Sequence, residues 1–280
     1  MQRITGLEVL PLDCPASALR PGDLVHVETP LNPSGEAHNL ELYAAKAKAA
    51  GAYLSVDATF GPPPLQEPFR YGVDVIMHSG TKYLGGHSDM LCGVLAAHPD
   101  RLGWADGLKA DRVYLGSVMG SLEGWLGLRS LRTLELRVER QSRNTQSLVD
   151  WLASGLQDSQ SAMSQVVDRI QHASLQKEDL DGHGEDGAWL RRQMPRGFGP
   201  VFAIWMKSEE YARHLPSKLQ LFQHATSLGG VESLIEWRAM SDPGVDKRLL
   251  RVSVGLEGWE DLRDDLKAAF EALQGDKVDN

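Results

Sequence analysis

The stretch Met77-His78-Ser79-Gly80-Thr81-Lys82-Tyr83 sets one lysine among small and hydroxyl residues. It overlaps the apolar run Val73 to Met77, which is predicted to be a buried strand. Upstream, Asp57 follows the apolar run Ala52 to Val56, a second predicted strand. Ligands of parallel sheets gather at the carboxyl ends of the strands, so Asp57 and Lys82 are expected at the same edge.

A lysine and a carboxylate in this arrangement are what pyridoxal phosphate requires. Lys82 would hold the cofactor as a Schiff base, and Asp57 would keep the pyridine nitrogen protonated so that the ring acts as an electron sink. A lysine that is desolvated or lies near another cation can lose its proton at neutral pH, as imine formation requires. The structural alternatives are a surface turn at Thr81-Lys82 and a helix cap at Asp57.

Composition excludes several other classes of protein. The chain has 280 residues, of which 42% are hydrophobic and 24% charged, as expected for one large or two modest globular domains. The net charge is −9 and no basic stripe occurs, so nucleic acid and anionic membranes are not expected partners. Cys14 and Cys92 suggest neither a disulfide framework nor a zinc site, and no metal site is predicted from the histidines.

The N-terminal sequence and the lengths of the apolar runs favour a cytoplasmic location. Met1 to Leu12 contains Arg3 and Glu8 and lacks the apolar core of a signal peptide. No apolar run approaches the length of a membrane span. We therefore predict a cytoplasmic protein.

The first half of the chain alternates strands and helices. Further strands are predicted at Leu7 to Leu12, Leu24 to Val27 and Leu91 to Ala97, and a helix at Asn39 to Ala50, which ends before Gly51. Apolar strands that alternate with helices predict an α/β fold with a mostly parallel sheet covered on both faces. Asn32, which follows a strand, is expected at the edge that holds Asp57.

From Ser121 onward the pattern is mainly helical. It predicts a long helix that joins two domains, residues 1–140 and 141–280, and a C-terminal helix with Leu262, Leu266, Phe270 and Leu273 on one face. Asp158 to Gly187 is polar and is predicted to include a surface loop. Strands are predicted at Val201 to Met206 and Leu250 to Val254, and Trp125 and Trp237 are expected in the core.

Two further features of the second half bear on function. Arg251 lies in the apolar run Leu249-Leu250-Arg251-Val252 and must be paired if it is buried. Its alternative is a strand-edge arginine that faces solvent. Ser227-Leu228-Gly229-Gly230 is either a binding loop or an ordinary turn.

Four stretches in order along the chain resemble one family. They are Glu28-Thr29-Pro30-Leu31-Asn32-Pro33; Val56-Asp57-Ala58-Thr59-Phe60; Ser79-Gly80-Thr81-Lys82-Tyr83 with Gly85-Gly86-His87-Ser88-Asp89; and Ser227-Leu228-Gly229-Gly230-Val231-Glu232-Ser233 with Leu250-Arg251-Val252-Ser253-Val254-Gly255. Together they resemble the Cys/Met-metabolism (transsulfuration) family of pyridoxal-phosphate enzymes, which includes cystathionine γ-synthase, cystathionine γ- and β-lyases, methionine γ-lyase and O-acylhomoserine sulfhydrylases.

The resemblance implies a fold and residue roles. The fold would be the pyridoxal-phosphate-dependent transferase fold type I, similar to aspartate aminotransferase, with a partial large domain and a smaller C-terminal α+β domain. Lys82 would be catalytic and would carry the cofactor. The other implied cofactor contacts are Asp57 at the ring nitrogen, Ser79 and Thr81 at the phosphate, and Asn32 at the ring hydroxyl. The implied substrate contacts are Arg251, Ser227 and Asn32, which would bind the carboxylate.

The implied activity is γ-replacement or γ-elimination on an amino acid such as O-acylhomoserine or cystathionine, most nearly that of cystathionine γ-synthase, in a homodimer or homotetramer. The family carries a further α/β portion ahead of the matched segment, so the chain is expected to be N-terminally incomplete. The alternative function is a truncated, catalytically impaired homologue that acts as an assembly partner. Thr226 stands where γ-synthases and γ-lyases often have Glu, which leaves the choice of reaction open. An unrelated nucleotide-binding protein is disfavoured because no P-loop or GxGxxG pattern occurs between a strand and a helix.

Overall fold

The computed structural model describes residues 2–182 and 188–275, which form two β-sheets connected by helices. The first elements are α1 (Gln2–Thr5), β1 (Leu24–Glu28), α2 (Leu40–Ala50), β2 (Tyr53–Asp57), β3 (Val75–Ser79) and β4 (Gly93–Ala97). The connecting helices are α3 (Leu102–Tyr114), α4 (Ser121–Leu131) and α5 (Leu134–Gly155). The remaining elements are α6 (Ala162–Val166), β5 (Val167–Gln171), α7 (Lys177–Asp181), α8 (Trp189–Gln193), β6 (Val201–Met206), α9 (Glu209–Lys218), β7 (Gln223–His224), β8 (Leu234–Trp237), β9 (Leu249–Ser253) and α10 (Trp259–Gly275).

The first sheet has the strand order β1-β2-β3-β4. β1, β2 and β3 are parallel, and β4 pairs with β3 in the antiparallel direction, so the predicted mostly parallel sheet is confirmed. The register pairs Glu28 with Asp57 and Asp57 with Met77. Three carboxyl strand ends therefore meet at one edge of the sheet.

Helix α2 covers one face of this sheet. The Asn39 side chain caps it by accepting a hydrogen bond from the Glu41 amide, and Gly51 ends it in the left-handed conformation at φ 65°. Leu40 and Ala47 belong to the core cluster that also holds the β1 and β2 side chains of that face. The predicted helix is confirmed, and its two boundary residues act as the sequence indicates.

The opposite face of the first sheet is only partly covered by the described residues. Helix α3 reaches it where Trp104 meets Tyr53 edge to face, with ring centroids 4.6 Å apart. Leu24 in β1 is 60% exposed and Leu95 in β4 is 54% exposed. Both faces of the first sheet were expected to be covered, but among the described residues only the face under α2 is fully covered.

The second sheet has the order β5-β6-β9-β8-β7 and packs one face against α5, α9 and α10. Strand alternation places Leu250 and Val252 of β9 in this core, which leaves Arg251 on the opposite face. The strands predicted around β6 and β9 are confirmed. The C-terminal helix is also confirmed, and its four predicted core residues are buried.

One predicted strand is absent from the structure. Leu7 to Leu12 forms no strand, because it pairs with no neighbouring strand and Leu7 and Val9 remain 58% and 65% exposed. The polar segment from Asp158 begins in an exposed turn at residues 157–160, as a surface loop would, but it also contains α6, β5 and α7; β5 pairs with β6, which local polarity does not reveal. Residues 183–187 of that predicted loop lie outside the described part of the chain.

Two further expectations concern the connecting helices. Trp125 is 60% exposed and so is not a core residue, whereas Trp237 packs against the core of the second sheet. The predicted long helix is split at residues 132–133 into α4 and α5. The boundary near residue 140 falls inside α5 and remains a prediction. Among the described residues, no helix is both long and apolar enough to cross a membrane.

Candidate active site

Lys82 lies in a tight turn that begins where β3 ends. The Lys82 amide donates to the Ser79 carbonyl at 3.1 Å, and the Gly86 amide donates to the Lys82 carbonyl at 2.6 Å. These bonds fix the backbone on both sides of the side chain. The lysine Nζ donates to Ser227 Oγ at 3.3 Å across the gap between the two sheets.

The Lys82 amine is partly buried, and its surroundings disfavour its charged form. Desolvation is the largest cause of its lowered pKa, and the Arg251 charge lowers the pKa further. The carboxylate of Glu236 acts in the opposite direction. The result is an amine that loses its proton more readily than a lysine in water.

The turn of Lys82 rests on a buried support. Tyr83, next to the lysine in sequence, is 1% exposed. The buried Arg137 of α5 donates through Nη1 to the Tyr83 carbonyl at 2.8 Å and through Nη2 to the Ser130 carbonyl at 3.1 Å. A Cβ at Gly86 would lie 2.0 Å from Arg137 Nη1, so the arginine can approach only glycine there. Arg137 therefore ties the lysine turn to the connecting helix.

Asp57 is held by Thr59, a residue to which the sequence analysis assigns no role. Asp57 Oδ1 accepts from the Thr59 amide at 2.9 Å and from Thr59 Oγ1 at 2.6 Å. Thr59 Oγ1 in turn accepts from the Ser79 amide at 2.9 Å. The Asp-x-Thr spacing that allows the local turn was the available signal, but the bond to Ser79 depends on the tertiary fold.

Glu28 is a second carboxyl group beside Asp57. Burial and then the Asp57 charge raise its pKa to about 7, against a smaller opposing effect of the Asn32 backbone amide. Two neighbouring carboxylates resist being ionised together. This arrangement favours the protonated form of Glu28 at mildly acidic pH.

Arg251 is buried, at 3% exposure, and paired, as the sequence analysis requires of a buried arginine. Its Nη1 donates to Asn32 Oδ1 at 3.1 Å, and its Nη2 donates to the carbonyls of Thr226 at 2.5 Å and Ser227 at 3.1 Å. These contacts exclude the alternative of a solvent-facing arginine. They also bring Asn32, from the first sheet, to Arg251, from the second.

The loop that carries Ser227 fits closely against the lysine turn. Gly229 has φ +79°, and a Cβ there would lie 3.0 Å from the Tyr83 nitrogen and 3.2 Å from the Lys82 Cβ. The Gly229 amide donates to Ser253 Oγ at 3.0 Å. Glycine is thus required for both conformation and space, which favours the binding-loop interpretation over an ordinary turn.

Glu236 and Arg238 complete the surroundings of Arg251. Neither residue was predicted from the sequence. Glu236 is 2% exposed, and its Oε2 lies 2.5 Å from Arg251 Nη2. Arg238 Nη1 lies 3.1 Å from Glu236 Oε1. The cross-strand pairing of Glu236 with Arg251 produces this contact. The sequence gives no local sign of that register.

The structure thus brings six of the seven predicted residues together in two groups and leaves Thr81 outside both. Lys82, Ser227, Arg251 and Asn32 form one continuous series of contacts. Asp57 is connected to Ser79 through Thr59. Thr81 is turned to Cys92, whose carbonyl accepts from Thr81 Oγ1 at 3.3 Å and whose amide donates to it at 3.0 Å.

Comparison with known proteins identifies this arrangement. The model of the family described as Cys/Met metabolism PLP-dependent enzyme matches residues 14–271. The chain belongs to this family. The resemblance inferred from the four stretches is confirmed, and pyridoxal phosphate is the cofactor of the family.

The relatives within the Cys/Met metabolism family include lyases and synthases. A cystathionine beta-lyase of Lactococcus lactis subsp. cremoris is 33% identical over 258 residues, which cover 88% of this chain and 63% of the relative. A cystathionine gamma-synthase of Mycobacterium tuberculosis (strain ATCC 25618 / H37Rv) is 34% identical over 276 residues, 95% of this chain and 66% of the relative. The chain therefore spans less than two thirds of the length of these curated relatives.

A solved structure shows the same fold. The cystathionine gamma-lyase from Lactobacillus plantarum, determined in complex with L-serine, superimposes with a TM-score of 0.78 at 29% identity. The match covers 92% of this chain and 66% of that one. This likeness supports fold type I with a partial large domain, as predicted.

Proposed function

We propose that this chain carries out γ-replacement or γ-elimination on an amino acid with a sulfur or O-acyl substituent, most nearly as cystathionine γ-synthase does. The observation that carries the proposal is the continuous contact from Lys82 through Ser227 to Arg251 and Asn32. It places an amine of lowered pKa beside a buried guanidinium, as an enzyme acting on an amino acid requires.

The residues at the edge of the first sheet fit the cofactor. Lys82 would hold it through the amine, Asp57 would pair with the ring nitrogen, and Ser79, Thr81 and Asn32 would contact its phosphate and ring hydroxyl. When bound, pyridoxal phosphate supplies an electron sink for the substrate Cα. The fit rests on a carboxylate already oriented by Thr59 and on an amine biased toward its neutral form.

The substrate would be oriented by its own carboxylate. Arg251 would bind that group with help from Asn32 and Ser227, which would leave Cα facing Lys82. Once the substrate's own amine has replaced it on the cofactor, the neutral Lys82 amine would be free to take the Cα proton and return it further along the carbon chain. Its lowered pKa suits it to act as a base.

The choice of a synthase-like reaction is the finer part of the proposal. The relatives include both a cystathionine beta-lyase and a cystathionine gamma-synthase, so identity alone does not separate the reactions. The assay is O-succinylhomoserine with and without cysteine. Formation of cystathionine supports γ-replacement, whereas release of an oxoacid regardless of cysteine supports γ-elimination.

We further propose that the protein works as a homo-oligomer. Leu122, Trp125 and Leu128 of α4 are 63%, 60% and 71% exposed, an apolar strip of the kind that marks interaction sites. A molar mass from light scattering that corresponds to a dimer or tetramer would support this assembly. A monomer that persists at high concentration would contradict it.

The experiment that tests the function compares two lysines. Lys82→Ala is expected to abolish the visible absorption band formed with added pyridoxal phosphate, together with all turnover. Lys109→Ala, on the exposed face of α3, is the matched control and should retain both. The alternative, a catalytically impaired assembly partner, predicts no band and no turnover in the unmodified chain but a defined larger complex. A Lys82→Ala protein with full activity would contradict the proposed role.

A further inference from the structure

Glu236 is a buried carboxylate shared by two arginines. Its Oε2 lies 2.5 Å from Arg251 Nη2 and 3.2 Å from Arg238 Nη1. Its Oε1 accepts from Ser241 Oγ at 2.5 Å and from Arg238 Nη1 at 3.1 Å. Both oxygens are thus satisfied, as a buried charge requires.

The charges of this cluster do not balance. Glu236 and Arg251 alone would form a neutral pair, which attracts a substrate carboxylate far less than a free guanidinium does. Arg238 supplies a second positive charge, so the cluster of Glu236, Arg238 and Arg251 carries a net charge of about +1. The side chain of Arg238 is only 15% exposed. Its charge is therefore screened less by solvent than that of a surface arginine.

The position of Arg238 also has a geometric consequence. Its Nε is buried and has no hydrogen-bond partner among the described residues, so its contact with Glu236 is made through Nη1. Glu236 and Arg251 face each other across β8 and β9, and Arg238 follows β8 directly. Arg238 thus contacts Glu236, Glu236 contacts Arg251, and Arg251 contacts Asn32.

We propose that Arg238 is a positioning residue: it offsets the charge of Glu236, so that Glu236 can orient Arg251 without neutralising its attraction for a carboxylate. This inference rests on the proposed function, because it assumes that Arg251 binds the carboxylate of an amino acid. It adds a residue that does not touch the substrate but sets how strongly Arg251 attracts it.

Two charges of this cluster act on Lys82, which provides a direct readout. Arg251 lowers and Glu236 raises the pKa of the lysine amine, whose hydrogen-bond partner is Ser227 Oγ. Loss of a positive charge from the cluster favours the protonated amine, and loss of the negative charge disfavours it. Removing the positive charge and removing the negative charge should therefore shift the pKa of Lys82 in opposite directions. A merely structural role of Arg238 does not predict this difference.

The test uses the full chain without cofactor. Lysines are labelled by reductive methylation with ¹³C, and the Lys82 signal, identified by its loss in Lys82→Met, is titrated by NMR. Arg238→Gln is expected to raise the pKa of Lys82 by about 0.5 and Glu236→Gln to lower it by about as much. Arg238→Lys, which keeps the charge, and Arg70→Gln, an exposed control, should leave it unchanged.

A kinetic test follows in the cofactor-loaded protein. Arg238→Gln is expected to raise KM for the amino acid about tenfold and to change kcat less than about threefold, with recovery in Arg238→Lys. The inference is overturned if both charge-removing substitutions move the Lys82 titration in one direction, or if Arg238→Gln and Arg238→Lys titrate alike.

The proposed function and the proposed role of Arg238 can be contradicted independently of each other. A protein without turnover whose Lys82 titration shifts as expected would contradict the proposed function and support the charge relationship. An active protein whose titration does not respond to Arg238→Gln would support the function and overturn the inference. If Glu236→Gln does not fold, the comparison of Arg238→Gln with Arg238→Lys decides.

Discussion

Glu28 lies directly opposite Asp57 in the parallel register of β1 and β2, and this neighbour helps to raise the pKa of Glu28 to about 7. The pair sits at the carboxyl end of the sheet, where the family's cofactor chemistry would take place. The protonation of Glu28 is therefore linked to the stability of the folded chain.

The first prediction concerns stability against pH. Because the pKa of Glu28 is raised from 4.5 to about 7 on folding, the folded state binds more protons in this interval, and its contribution to stability falls as pH rises from 4.5 to 7. Glu28→Gln should stabilise the protein at pH 8 by about 1 kcal/mol after allowance for solvent screening, and have little effect at pH 4.5. Urea unfolding at both pH values measures this. The exposed Glu178→Gln is the control, and equal effects of Glu28→Gln at both pH values would contradict the prediction.

The second prediction concerns Thr59. Thr59→Val removes the hydroxyl that donates to Asp57 and accepts from the Ser79 amide, while the volume hardly changes. We expect at least about a tenfold loss of affinity for pyridoxal phosphate, since a hydrogen bond to a charged group contributes about 1.5–3 kcal/mol and a tenfold change corresponds to about 1.4 kcal/mol. Thr59→Ser retains the hydroxyl and should bind nearly as the original chain does. Fluorescence titration with the cofactor distinguishes the two, and equal affinities would refute the role of the hydroxyl.

A third prediction concerns Gly229. Gly229→Ala places a Cβ 3.0 Å from the Tyr83 nitrogen at a φ of +79°, and it should destabilise the protein by about 1–3 kcal/mol. Gly124→Ala, inside α4 with open space around it, is the matched control and should stabilise by about 0.5–1 kcal/mol. Thermal or denaturant unfolding measures both. A Gly229→Ala protein as stable as the original chain would show that the contact with the lysine turn has no energetic role.

A fourth prediction concerns the support beneath Lys82. Arg137→Met removes the donors to the Tyr83 and Ser130 carbonyls and leaves both buried without these partners. Unfolding free energy should fall by about 2–4 kcal/mol, and the remaining folded protein should bind the cofactor more weakly. Arg143→Met, on the exposed side of the same helix, provides the comparison. Similar stabilities of the two variants would contradict a supporting role.

Local sequence patterns predicted the helix ends, the strand ends and the need of a buried arginine for partners. Asn39 and Gly51 mark the two ends of α2. Polar residues end the apolar runs at Asp57, the last residue of β2, and just before Lys82, which follows β3. The buried Arg251 was predicted to need partners for the same reason: its neighbours in sequence are apolar. These inferences needed no knowledge of which strands pair.

The features that the sequence did not predict depend on which strands pair or on which parts of the chain bury a side chain. Glu236 meets Arg251 only through the register of β8 and β9, and β5 becomes a strand only because β6 lies beside it. Trp125 was expected to be buried because large aromatic residues usually are, yet the described residues leave it exposed. Short-range periodicity carries no information about either kind of contact.

The most direct test of the central claim is to locate the cofactor on the chain. Pyridoxal phosphate is added, the protein is reduced with borohydride and digested, and the modified peptide is identified by mass spectrometry. We expect stoichiometric modification of Lys82, with none at the exposed Lys109. Modification spread over surface lysines, or stoichiometric modification of another lysine, would contradict it.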